Sequence, residues 1–292
     1  MKPHTIAVLQ ALLVTFLWST SWVLIKFGLV DIPPLTFAGL RYALAFLILL
    51  PFTLSSKGRR ELKSLSSRQW GLLLLLGLLF YAVVQGSQFF GLAFLPAATV
   101  SLILGFTTLV VALMGVFWLA EQPGWMGWLG ITLSMIGAVV YFYPVELPGS
   151  QYFALFIVTI GMLANAVSAV LGRSINQREN IPPLIVTTVS MGFGAALLLA
   201  AGTITQGIPY LTAKNWIIIL WLALVNTAFA FTLWNHTLRS LPAMESSIIN
   251  STMLVQIALL AWLVLGEALT YKEWLGLLLV GAGVLVVQLR LK

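Results

Sequence analysis

Eleven side chains able to engage a small solute sit inside otherwise apolar stretches of this chain: Trp18, Ser19, Tyr81, Gln85, Gln88, Ser101, Asn165, Asn226, Trp234, Ser247 and Asn250. The amides and hydroxyls give and take hydrogen bonds without carrying charge. The indoles and the phenol offer flat faces on which a ring can stack. Polar groups surrounded by lipid cost free energy unless satisfied, so each marks either a bond between helices or part of a solute path. For a single Asn or Gln the interhelical bond is the simpler role; for the set, a path is favoured.

What the set lacks narrows the chemistry. No Asp or Glu falls in mid-stretch: Glu121 and Glu267 end apolar runs and Glu245 lies near the start of one. A site for lipophilic cations calls for a buried carboxylate, and a phosphorylated solute calls for clustered Lys or Arg. Neither is present. Arg41 stands alone, about seven residues or roughly 10 Å inside its stretch, where it snorkels, pairs structurally or helps an anion at the outer mouth. A neutral or zwitterionic solute with an apolar body fits best. Its carboxylate would meet helix N-termini and side-chain amides, and its ammonium would meet carbonyls. His236 is the one residue in these stretches that titrates near neutrality, and it falls close to one interface. With no mid-span carboxylate or lysine to relay a proton, downhill transport is expected rather than obligatory proton exchange.

Other chemistries have no foothold. There is no His-Glu-x-x-His, Gly-x-Ser-x-Gly or Gly-rich phosphate loop, so neither an enzyme nor an ATP-driven pump is expected in this chain alone. No cofactor and no metal site are expected. Cysteine is absent, which removes disulfide and thiol chemistry.

The elements that must carry these residues follow from composition. Of 292 residues, 60% are hydrophobic and 8% charged, with mean hydropathy +1.03. That excludes a soluble globule. A helix needs about 20 mostly apolar residues to cross a bilayer, and ten such stretches can be laid out: 6–27, 34–54, 70–93, 97–119, 124–142, 152–173, 182–202, 215–236, 243–265 and 272–290. Pro34, Pro123 and Pro183 fit first helical turns, and Thr270 with Glu273 forms a capping box opening the tenth span. Polar residues crowd spans one, three, four, six, eight and nine, so those are expected around a cavity, with five and ten outside it. The glycines of the latter (Gly127, Gly130, Gly137; Gly276, Gly281, Gly283) read as a packing seam. Two small-residue faces, Ala97/Ser101/Gly105 and Ala243/Ser247/Ser251, serve packing or the cavity. Trp118 could also stack on a solute ring, whereas Trp70, Trp125, Trp216 and Trp274 belong to interfacial belts.

Charge sets the orientation. With the N-terminus cytoplasmic, eleven basic residues (Lys2, Lys57, Arg59, Arg60, Lys63, Arg68, Arg173, Arg178, Arg239, Arg290, Lys292) lie inside and three (Lys26, Lys214, Lys272) outside. That positive-inside bias puts both termini in the cytoplasm. The run from Lys57 to Arg68 is then a retained loop, not a nucleic-acid patch. The first apolar run is too long for a signal peptide and lacks a clear cleavage site.

The chain also repeats itself. Gln69-Trp70, Leu95-Pro96-Ala97, Ser101, Glu121, Trp128-Leu129-Gly130 and Gly137 recur 146 positions later as Asn215-Trp216, Leu241-Pro242-Ala243, Ser247, Glu267, Trp274-Leu275-Gly276 and Gly283. Upstream, Asp31-Ile32-Pro33-Pro34-Leu35 matches Asn180-Ile181-Pro182-Pro183-Leu184 at a spacing of 149. Each copy holds five spans, an odd number, so the copies face opposite ways in the membrane. That is a secondary-transporter architecture. The expected fold is an all-α integral membrane protein of ten transmembrane helices, with repeats at 1–145 and 146–292.

Leu-Pro-Ala opening the fourth span, Glu at its end, Trp-x-Gly in the fifth and the Pro-Pro-x6-Arg-Tyr element from Pro33 to Tyr42 together resemble the drug/metabolite transporter superfamily, in its EamA-type branch. The resemblance covers essentially the whole chain and is greatest to the bacterial YddG-type exporters. It implies export of aromatic and other neutral amino acids through a central cavity, from the bacterial inner membrane. Export of other apolar metabolites or drugs, or lipid flipping, remains as the alternative. The partners so implied are a small-molecule solute (an amino acid) and the lipid bilayer, with no nucleic acid, and the chain is taken to act as a monomer.

Overall fold

A computed structural model describes residues 3–111, 114, 125–143, 149–237, 241 and 243–288. All the regular structure among them is helical. In chain order the main helices are α1 (Pro3–Gly28), α2 (Pro34–Thr53), α3 (Ser67–Phe94), α4 (Ala97–Val111), α5 (Trp125–Phe142), α6 (Gly149–Arg178) and α7 (Pro183–Gln206). Then come α8 (Ala213–Ala223, Leu224–Phe229 and Ala230–Thr237), α9 (Ala243–Leu265) and α10 (Tyr271–Gln288). Among the described residues, seven stretches are long and apolar enough to cross a membrane, and Ala97–Val111 and Ile249–Leu265 are shorter apolar helices. Exposed Leu, Ile, Val, Phe and Trp along α1, α6, α8 and α9 face outward, the surface a bilayer solvates.

Helix starts follow local chemistry. Pro34 and Pro183 occupy first turns, where the missing N–H costs nothing. Glu273 accepts from the Thr270 N–H at 2.7 Å, and the Thr270 hydroxyl accepts from the Glu273 N–H at 3.3 Å. This is the capping box expected for α10. Ser66 and Gln69 form a second box at α3, and the Thr212 hydroxyl accepts from the Asn215 N–H at the equivalent start of α8. The connection after α2 is not extended. Ser56–Ser64 forms a short polar helix capped by the Ser55 hydroxyl, because Lys, Arg, Glu and Leu are good helix formers.

The tightest packing pairs equivalent helices of the two halves. A Cβ on Gly137 of α5 would lie 2.8 Å from the Gly276 carbonyl oxygen, and one on Gly283 of α10 would lie 2.5 Å from that of Gly130. Only glycine lets the backbones come this close. Position 137 meets 276 and position 130 meets 283, so α5 and α10 run antiparallel. Midway between them, the Ser134 hydroxyl donates to the Val280 carbonyl, 146 positions on, at 3.4 Å. Helices α2 and α7 also run antiparallel: Thr36 donates to the Gly207 carbonyl at one end, and Thr53 donates to Thr188 at the other. Gly39 and Gly202 make the close approaches between them.

Helices α3 and α8 share a further feature. Each is α-helical at both ends and π-helical in the middle, over Gly77–Val84 and Leu224–Phe229. Shifted by 146, the first stretch becomes 223–230, so the two coincide in the repeat.

Residues 115–124, which hold Trp118 of the expected fourth span together with Glu121 and Pro123, lie outside the described residues, as do the side chains of Ala243, Glu245 and Ser247.

Candidate solute cavity

Between the two halves lies a cavity of about 330 Å³, large enough for one small molecule. Residues of α1, α2, α3 and α4 line it from one half and residues of α6, α8, α9 and α10 from the other. Trp18, Trp22, Phe80 and Phe231 supply rings; Gln85, Gln88, Asn165 and Asn250 supply amides; Ser21, Ser101, Thr107, Thr108 and Ser251 supply hydroxyls. One cation, Arg41, reaches the wall, and no Asp or Glu does among the described residues.

Packing fixes the ring wall. Trp18 sits 5.1 Å from Phe231 and 5.3 Å from Trp234, centroid to centroid, with tilted planes. Trp234 therefore backs Trp18 from behind the wall. Asn165 of α6 donates from Nδ2 to Thr107 Oγ1 of α4 at 3.1 Å, which leaves its carbonyl oxygen for a solute. The π-helical turn of α8 lets the Thr227 hydroxyl donate back five residues to the Leu222 carbonyl at 2.8 Å. Thr227 Oγ1 in turn accepts the Arg41 Nε–H at 3.0 Å. A local irregularity in one half thus orients the cation of the other.

The structure brings six of the eleven candidates to this wall: Trp18, Gln85, Gln88, Ser101, Asn165 and Asn250. Four lie elsewhere. Ser19 is fully buried, donating to Thr15 O and Gln256 Oε1 and so joining α1 to α9. Asn226 donates to the Leu17 carbonyl and to Thr20 Oγ1 at 3.3 Å, a bond between α8 and α1. Tyr81 packs edge-on against Tyr42 at 5.6 Å, and Trp234 stands behind Trp18. Ser247 is the eleventh, with its side chain outside the described residues.

Two expectations about the walls are corrected. Span ten does not lie wholly outside the cavity: Gly281 and Val284 of α10 line it, while Gly276 and Gly283 hold the seam on its other face. The second span, given no place in the wall, contributes Arg41 and Tyr42. Arg41 is 3% exposed and packed in the core, with its guanidinium carbon 5.2 Å from the Tyr42 ring and 5.9 Å from Phe89. It is a wall residue, not a snorkelling one at the mouth. The signal was in the sequence: a lone basic residue deep in an apolar span is costly and needs a reason. His236 is exposed at the end of α8 and is not on the wall.

A sequence profile of the EamA-like transporter family matches residues 5–143 and again residues 152–289. The chain belongs to the EamA-like transporter family. It is accordingly a multi-pass membrane protein of a transporter family, with the EamA unit present twice. Among similar proteins, an uncharacterized transporter of Bacillus subtilis, YoaV, is 24% identical over 278 residues, covering 93% of this chain and 92% of its own. A probable amino-acid metabolite efflux pump of Salmonella typhimurium is 27% identical over 293 residues, covering 94% and 92%. A solved crystal structure superposes with a TM-score of 0.68 over 97% of both chains at 17% identity, a likeness of fold alone.

Proposed function

We propose that this EamA-like protein exports small neutral or zwitterionic solutes, aromatic and other neutral amino acids foremost, through the cavity between its two halves. The carrying observation is the wall itself: rings on one side, uncharged amides and hydroxyls around them, a single cation and no carboxylate among the described residues. Such a wall suits an apolar body bearing a compact polar head. The printed name of the Salmonella relative points to the same solute class.

In this reading ten helices cross a bacterial inner membrane as two inverted five-helix repeats, with both termini cytoplasmic. The antiparallel pairing of α5 with α10 and of α2 with α7 supports that arrangement. Rocking of one half against the other opens the cavity to each side in turn. Flux runs down the solute gradient, since the wall holds no carboxylate or lysine among the described residues to carry a proton.

Full-length protein in proteoliposomes, given labelled phenylalanine or tryptophan alongside glutamate and a labelled phospholipid, tests this. Saturable movement of the aromatic solutes alone, unaffected by a protonophore, is expected. Lipid translocation without amino acid flux, or accumulation driven uphill by a pH gradient, would overturn the corresponding part.

A further inference from the structure

Arg41 is the one charged residue on the wall among the described residues, and no described residue offsets its charge. It is 3% exposed, and a buried charge is costly unless paired. Its Nε–H goes to Thr227 Oγ1, a neutral acceptor. No described residue accepts from its two Nη groups, and no carboxylate of a described residue lies within ion-pair distance. The rings of Tyr42 and Phe89 flank it at 5.2 and 5.9 Å; they offer their faces to a cation but cannot neutralise it. The guanidinium is therefore held from behind, by a hydroxyl and two rings, with its fork of donors left for the cavity it lines.

A planar fork of N–H donors matches one chemical group best, a carboxylate taken on two parallel hydrogen bonds. We propose that Arg41 receives the carboxylate of the solute, so that the cavity selects for a monocarboxylate attached to an apolar body. This rests on the reading of the cavity as the solute path. The uncharged amides across the wall then have the lighter task of meeting whatever else the head group carries. Selection is by addition: a solute without the carboxylate leaves a buried arginine unpaired, and the site rejects it.

The test compares solutes of one shape, and it reads binding separately from transport. Tryptophan, tryptophan methyl ester, tryptamine and indole-3-propionate are each offered to the purified full chain, scored by protection against thermal unfolding, and then used as competitors of tryptophan flux in proteoliposomes. The wild type is expected to recognise tryptophan and indole-3-propionate and to reject the ester and the amine. Arg41→Gln should raise KM for tryptophan roughly tenfold to a hundredfold, the range for a hydrogen bond to a charged group, with a much smaller change in kcat. It should also recognise the ester as well as the acid, which a merely structural arginine would not produce. Arg41→Lys should recover part of the preference. Thr227→Val, which removes the Nε partner but keeps the charge, should keep it while weakening affinity. Should Arg41→Gln fail to fold, Arg41→Lys and Thr227→Val carry the comparison. An unchanged acid-over-ester preference in Arg41→Gln, or equal recognition of tryptamine and tryptophan by the wild type, overturns the inference. Acid-selective binding without amino acid flux would sink the proposed function and keep this inference; aromatic flux without acid selectivity would do the reverse.

Discussion

Glu267 caps a helix that is not its own. Both of its carboxylate oxygens accept the Ala97 N–H, at 2.9 and 2.8 Å, so the residue just after α9 closes the first turn of α4. Lys26 at the end of α1 lies 3.5 Å from the same carboxylate and donates to the Leu95 carbonyl at 2.6 Å. Three segments from both halves meet there, next to one end of the cavity helices.

Glu267→Ala should therefore lower stability by about 1–2 kcal/mol, the usual cost of losing a helix cap. Lys26→Ala should cost less, because the carboxylate keeps its N–H partner. Thermal unfolding of purified protein in detergent ranks the two, and equal losses would mean that the ion pair, not the cap, dominates.

The seam and the cavity face of α10 should respond oppositely to added bulk. Gly276→Leu drives a side chain into the Gly137 carbonyl and the Tyr141 backbone, and overpacking of this kind costs about 1–3 kcal/mol or more. At Gly281 the nearest atom to an added Cβ is Leu254 Cδ2 at 3.9 Å. Gly281→Leu should leave the fold intact and fill the cavity. Size-exclusion yield and melting temperature should drop only for the first, and transport for both.

Two asparagines that both lie in mid-span should separate in the same way. Asn165→Ala removes a wall amide with one bond, to Thr107, and should raise KM with the smaller fall in melting temperature. Asn226→Ala removes the bonds to Leu17 and Thr20 between α8 and α1 and should destabilise by about 1–3 kcal/mol. If KM moved for neither, the wall amides would have no part in recognition.

The absence of native cysteine makes the proposed orientation open to direct labelling. In cells, a cysteine at Arg60 should resist an impermeant thiol reagent, while one at Lys214 should react. The converse pattern would invert the arrangement.

Much of this was legible beforehand because repetition and apolar length are one-dimensional signals. Ends were predictable where a cap or proline sat in the right turn, as at Pro34, Pro183 and Thr270. The cavity was legible only by depth. Depth separates Trp18 and Asn165 from solvent, but it cannot tell which way round a helix they point, so Asn226 and Ser19, equally deep, were grouped with them. Arg41 and Gly281 escaped for a related reason. Arg41 reads by depth as a structural or mouth residue and Gly281 by spacing as part of the seam, whereas position on the wall is a matter of rotation.

Rotation is what the π-helical stretches control. In an α-helix each residue turns the chain by about 100°. A π-helical turn takes up roughly one residue more than an α turn, so every side chain beyond it is set back by about that angle. In α3 the stretch ends at Val84, immediately before Gln85 and Gln88, which reach the wall. In α8 it ends at Phe229, just before Phe231, which also reaches the wall. Each half thus carries a phase shifter just ahead of wall residues of the same helix, at the same place in the repeat. Deleting Leu78 or Leu79 would remove no wall residue from the chain, yet it would swing Gln85 and Gln88 about a quarter of a turn away from the space they now face.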